Sequence, residues 1–234
     1  MTFITLQNKL AKFLCYLFVF TLLLCSNKMI ICQTAYAVPK PNFTVVLDAG
    51  HGGIDSGCTG KTTGVKESEI TLKITQKIQK LLSALNINVV QTRTNMDGLY
   101  ESFVSGFKLQ DLQKRKEIII KNDADLVVSV HLNSFSDSTA HGAQVFYKPN
   151  SPISHNLADK MQALFVQNLY KARTKAMLGD FYILNCTNVP GVLIECGFLS
   201  NPEEERLLCT DDYLQKISYN ISCGILEYFD LVKF

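Results

Sequence analysis

A chain of 234 residues with 23 basic and 21 acidic side chains and a formal charge of +2 is too near neutral to suggest a nucleic-acid partner. Its length suffices for one sizeable hydrophobic core. No repeat of fixed period and no low-complexity tract interrupts it, which sets aside solenoids and arrays.

The first forty residues stand apart. Lys9 and Lys12 precede an apolar run from Phe13 to Cys25, the pattern of a secretory leader, and the run is short for a membrane span of about 20 residues. Ala35-Tyr36-Ala37 offers an A-x-A cleavage site, although Lys28 and Met29-Ile30-Ile31 lie between it and the apolar run. Residues 1–40 are therefore expected to be a signal peptide or an N-terminal membrane anchor, and 41–234 a domain exported across the cytoplasmic membrane. Leu22-Leu23-Leu24-Cys25 matches a lipoprotein signal only loosely, since Leu24 stands where a small residue is expected. Beyond the leader, Cys58, Cys186, Cys196, Cys209 and Cys223 are odd in number and form no C-x-x-C pair. They read as small hydrophobes rather than as a disulfide frame or a zinc-thiolate site.

From Phe43 to Asp48 the chain reads as a strand, followed by a glycine-rich loop to about Lys66. Ile70, Ile74, Ile78, Leu81, Leu82 and Leu85 recur at helical spacing and predict a helix over 67–85. A strand over 87–91 and a polar loop over 92–106 come next. Leu109, Leu112, Arg115, Lys116, Ile119 and Ile120 predict a second helix, amphipathic and basic on its wet side. Strands are expected at 125–131, 142–147, 181–184 and 191–195, with helices at 153–170, from Pro202, and at 212–228. This alternation predicts a single α/β domain: a twisted, mostly parallel sheet of about six strands with helices on both faces. In such sheets the carboxyl ends of the strands share one rim, so His51, His131 and Glu195, each ending an apolar run, are expected to converge.

Three chemistries compete for that rim. Gly50-His51-Gly52 after a strand suggests a dinucleotide site, but the G-x-G-x-x-G fingerprint needs glycine where this chain has Asp55, whose charge repels a pyrophosphate. The helix also starts about a dozen residues too late to present its amides to phosphates. A serine hydrolase lacks its G-x-S-x-G elbow. Two imidazoles and a carboxylate make the donor set of catalytic zinc centres, which keep a further position open for water. A lone histidine at a strand end is more often structural than a ligand; two of them, beside an acid at a third strand end, favour a metal. His141 and His155, in a loop and at a helix start, read as solvated surface residues.

Val46-Leu47-Asp48-Ala49-Gly50-His51-Gly52-Gly53, Glu67 at a helix start, Ser129-Val130-His131-Leu132-Asn133 and Val192-Leu193-Ile194-Glu195-Cys196-Gly197-Phe198-Leu199-Ser200-Asn201 together resemble the zinc-dependent N-acetylmuramoyl-L-alanine amidases. The likeness runs in order over about residues 43 to 230 and is greatest to the short members associated with spore cortex and germination. It implies an α/β amidase fold, one zinc ion per chain held by His51, Glu67 and His131, and Glu195 as the catalytic carboxylate. Glu67 is preferred to Glu69 on the motif, with a helix-dipole role as its alternative. The implied substrate is peptidoglycan, cut between N-acetylmuramic acid and L-alanine. A zinc peptidase acting within the stem peptide and an inactive wall-binding module are the alternatives. Ala49 and Leu132 depart from the family's usual proline and small residue, and neither change removes a catalytic atom. Wall-binding repeats are missing, so targeting is expected from export, anchoring or a partner, and some members need an activating protein. No nucleic acid is expected, and membrane contact only through the N-terminal segment. The leader places the domain outside the cytoplasmic membrane, secreted or membrane-anchored, and for a spore-cortex member the space between the forespore membranes is included.

Overall fold

In the computed structural model, which describes residues 43–101 and 105–232, β-branched runs form the sheet and the helical periodicities cover it. The elements are β1 (Thr44–Ala49), α1 (Glu67–Ser83), β2 (Asn88–Gln91), α2 (Phe107–Lys121), β3 (Leu126–Asn133), β4 (Gln144–Tyr147), α3 (Pro152–Asn168), β5 (Met177–Leu178), α4 (Tyr182–Asn185), β6 (Gly191–Phe198), α5 (Pro202–Leu208) and α6 (Asp211–Tyr228). The sheet order is β2-β1-β3-β6-β4-β5. All pairings are parallel except β4 against β6. The expected single α/β domain with about six strands is what the chain forms.

Alternation along the strands sorts their side chains between two unequal faces. Val45, Leu47, Val128, Val130, Val192 and Ile194 join the large core closed by α1, α3 and α6 through residues such as Ile74, Phe165 and Ile217. Val46, Val127 and Leu193 meet Ile119 of α2 and Ile183 and Leu184 of α4 in a much smaller cluster. The next residues of that second parity are Asp48, Ser129, His131 and Glu195. Polar chemistry therefore occupies the thinly covered face, toward the carboxyl ends of the strands.

Three local expectations need correction. Residues 181–184 are not a strand: Phe181 precedes the short helix α4, and the edge strand is the two-residue β5, whose Met177 and Leu178 are exposed. Ladder hydrogen bonding carries β3 and β6 past His131 and Glu195, to Asn133 and Phe198, with a register shift between His131 and Asn133. The third concerns α2. Leu109 and Ile120 face solvent, whereas Arg115 is 2% exposed and bonds to Asp48 Oδ1 at 2.6 Å. An inward carboxylate on β1 draws the arginine in, because a buried charge without a partner is far costlier than two exposed apolar side chains.

Asp48 also accepts hydrogen bonds from Ser129 Oγ (2.6 Å) and Thr92 Oγ1 (2.8 Å), which joins β1, β3 and the segment leaving β2. Burial opposes its charge, but the Arg115 guanidinium and the Ser129 hydroxyl outweigh that and hold the carboxyl below its ordinary 3.8. A carboxyl depressed in the folded state stabilises above its unfolded pKa and loses that contribution as pH falls through the folded value. Asp48→Asn is expected to lower the stability of the metal-free protein at pH 7 by roughly 3 kcal/mol, since Arg115 loses a buried partner. The gap to wild type should close as pH falls below 3.8. Urea unfolding across that range measures it, and a gap independent of pH would contradict the role given to the charge.

Candidate metal centre and cleft

The turn after β1 carries His51 in the left-handed region, φ 62°. An L-residue with a bulky ring takes that conformation only where its surroundings impose it. Here the Gly50 N–H donates to Val130 O (3.0 Å), and Arg115 Nη2 donates to His51 O (2.7 Å). Gly50 leaves space for the second imidazole: a Cβ there would lie 2.3 Å from His131 Cε1.

Glu67 is the first residue of α1 and is 3% exposed. Its Oε2 accepts from the Cys58 N–H (2.9 Å) and its Oε1 from the Leu132 N–H (3.0 Å), so backbone amides fix the carboxylate before any ligand arrives. The loop into α1 is itself held from α5, where Glu205 accepts from the Thr62 and Thr63 amides. Glu67 Oε1 then faces His51 Nε2 at 3.2 Å and His131 Nδ1 at 3.0 Å. One ligand atom from each of His51, Glu67 and His131 lies within 4.8 Å of the others, a geometry able to hold a metal ion. Glu67, rather than Glu69, is the acid brought to the imidazoles. The donor set fits a divalent ion with zinc's preference for nitrogen and carboxylate oxygen. His51 Nδ1 meets Asp55 Oδ2 at 3.0 Å, the carboxylate contact that commonly orients a ligating histidine.

Electrostatics separate the two glutamates. Burial works against the charge on Glu67, but His131 and His51 outweigh it and hold that carboxyl far below its usual range. Burial likewise opposes charge on His51, yet hydrogen bonds to Asp55 and Glu67 raise it to about 9 in the metal-free chain. Glu195, paired in register with His131 across β3 and β6, goes the other way. Burial raises it to about 7, with His131 opposing and Glu67 adding to the rise. Its Oε2 is buried and has no hydrogen-bond partner among the described residues. A polar atom left in that state is available to water or substrate.

Glu195 and the histidines line a cleft of about 430 Å³. Tyr100, Phe107, Lys108, Leu112, Phe181 and Tyr182 make its wall. Lys108 Nζ reaches Asp55 Oδ1 (3.3 Å), and the Tyr100 hydroxyl accepts from the Ile54 N–H (2.6 Å), so wall and ligand loop are tied together. Sequence reasoning brought together His51, Glu67, His131 and Glu195, and it missed Asp55, Arg115 and the aromatic wall. Arg115 did leave a signal, for it shares the apolar stripe of Leu112 and Ile119. Asp55 left none, because its contact with His51 depends on a loop conformation. His155 is half exposed and His141 bonds to Thr139 O, and neither joins the cluster. Among the described residues Cys58, Cys186, Cys196, Cys209 and Cys223 are free.

An open α/β sheet that gathers two histidines and two glutamates beside an apolar-walled cleft is the layout of an enzyme whose site is able to hold a metal ion. The chain belongs to the N-acetylmuramoyl-L-alanine amidase family, whose model matches residues 45–227. It is 32% identical over 198 residues to the germination-specific N-acetylmuramoyl-L-alanine amidase of Bacillus subtilis, covering 83% of each chain. It is similar to the CwlD amidase of Clostridioides difficile, solved in complex with the GerS lipoprotein, at 37% identity and a TM-score of 0.77 over 82% of this chain and 100% of that one. The catalytic domain of CwlV from Bacillus (Paenibacillus) polymyxa var. colistinus gives 29% identity and a TM-score of 0.71 over 81% of this chain and 99% of that one.

Since His131 occupies the space a Gly50 Cβ would claim, Gly50→Ala is expected to displace the imidazole from the cluster able to hold a metal ion and to lower its affinity for added zinc by about 10- to 100-fold. Calorimetric titration of the folded variant with zinc tests this, and wild-type affinity would show that His131 needs no such space.

Proposed function

We propose that the chain is a zinc-dependent amidase that removes stem peptides from peptidoglycan, acting on the spore cortex. The observation that carries this reading is the convergence of His51, Glu67 and His131 on one point, with Glu195 beside His131 on the next strand. His51 Nε2, Glu67 Oε1 and His131 Nδ1 are the atoms that would hold one zinc ion per chain. Zinc bound there supplies a Lewis acid that polarises the scissile carbonyl and brings the pKa of water toward about 7.

The chain's own residues do the rest. Glu195 takes the proton of the attacking water on its carboxylate and returns it to the departing nitrogen of L-alanine, a double role suited to a carboxyl raised to about 7. The amide cut joins the lactyl group of N-acetylmuramic acid to L-alanine, leaving an acid on the glycan and a free amine on the peptide. Asp55 holds the His51 ring, and the backbone amides of Cys58 and Leu132 hold Glu67. Leu112, Lys108 and the aromatic wall line the cleft beside the reacting bond.

The cortex assignment draws on the germination-specific relative and on CwlD. The lipoprotein in the CwlD complex supports a protein partner for this chain as well. Export rests on the leader at 1–40, which lies outside the described residues. Among those residues no helix is long and apolar enough to cross a membrane.

Mass spectrometry of purified peptidoglycan after digestion separates the readings: an amidase releases whole stem peptides with a free L-alanine amine, a stem peptidase releases fragments, and an inactive wall-binding module releases nothing. The first outcome is expected. Glu195→Gln is expected to lower the rate by about 10²- to 10⁴-fold, the usual contribution of a general base, while metal analysis still finds one zinc per chain. His131→Ala is expected to lose the zinc. An active Glu195→Gln enzyme would remove that residue from the chemistry, and a zinc-replete His131→Ala protein would break the ligand set.

A further inference from the structure

Arg115 belongs to α2, an element that contributes none of the four residues assigned to the chemistry, yet its guanidinium reaches the ligand loop. Nη1 donates to Asp48 Oδ1 and to Ala49 O, both at 2.6 Å, Nη2 to His51 O at 2.7 Å, and Nε to Asp111 Oδ2 at 2.5 Å. Arg93 completes the set, with Nε on Ala49 O and Nη2 on Gly50 O, each at 3.0 Å. Three successive carbonyls, those of residues 49, 50 and 51, thus end on guanidinium groups. This is where the chain leaves β1 and His51 enters the left-handed region. Relaxing that φ would turn the His51 backbone and break its bond to Arg115.

Charge alone does not account for an arginine at this position. A lysine ammonium would also neutralise Asp48, but as a point charge on a flexible stem it has no planar fork to span a carboxylate and two carbonyls. We propose that Arg115 is the positioning residue for His51: it fixes the imidazole through the histidine's own backbone, so that zinc affinity depends on α2. The inference rests on the zinc reading above.

The test measures the zinc dissociation constant of the full-length chain by chelator competition, together with the thermal midpoint and circular dichroism of the zinc-free form. Arg115→Met should lower the midpoint, because Asp48 loses its partner. Arg115→Lys should recover most of that loss and still bind zinc about 10- to 100-fold more weakly than wild type, the usual cost of a lost orienting group. Asp111→Ala, which keeps the Asp48 pair and removes the acceptor for Nε together with that for the Leu99 N–H, should weaken zinc binding by less. Wild-type zinc affinity in Arg115→Lys overturns the proposal, since Arg115 would then serve charge balance alone. If neither Arg115 variant folds, Asp111→Ala decides: weakened zinc binding supports the proposal and unchanged affinity overturns it. A wild-type chain that binds no zinc fails the underlying reading and this inference with it, a result distinct from an insensitive variant.

Discussion

The buried pair between Asp48 and Arg115 is the constraint on which the site depends. Taking two charges out of water costs several kcal/mol for each, and their attraction offsets this only when their remaining donors and acceptors are also satisfied. Most of them are: Ser129 and Thr92 occupy the other Asp48 positions, and Asp111, Ala49 and His51 each take a further guanidinium hydrogen. Satisfying the pair fixes the relative placement of β1, β3, the segment after β2 and α2. The turn bearing His51 then has very little freedom. A hydrophobic pair could match the stability of this one, but it could not orient a carbonyl.

Much of this was legible in the sequence, because strand alternation carries more than secondary structure. Val46 and Asp48 lie on one parity, as do Val127, Ser129 and His131, and Leu193 and Glu195, and the turn after β1 adds His51. Reading the strand ends gave the two histidines and Glu195, and the family resemblance supplied Glu67. The rest was hidden for specific physical reasons. Residues 181–184 are apolar enough for a strand, but β5 already pairs with β4, and α4 packs Ile183 and Leu184 under the sheet instead. Arg115 looked like part of a basic wet face because helical spacing does not say which way a stripe turns. Only the inward carboxylate on β1 decides that, through a contact 67 residues away in sequence.

Two glutamates at one rim end with opposite proton affinities, and the sheet explains the difference. Glu67 stands on a helix start, where two backbone amides and two imidazoles surround its oxygens. Glu195 projects from a central strand, with apolar residues on either side in sequence and Oε2 unpartnered among the described residues. Donors around the first favour the anion, and desolvation around the second favours the acid. Pairs of like groups pushed apart in this way mark divided roles, which suits Glu67 to the proposed metal and Glu195 to the proposed proton transfer.

The unequal cover of the sheet makes that arrangement possible. On the face closed by α1, α3 and α6, the inward positions are filled by Leu, Ile, Val and Phe, and a carboxylate there would have no solvent-side outlet. On the other face α2 and the four-residue α4 reach only part of the surface, leaving the cleft above His131 and Glu195. A longer helix or a full strand at 181–184 would bury that opening. The short α4 instead brings Phe181, Tyr182 and Ile183 to its edge, so a segment too brief to close the core becomes the wall that a substrate would meet.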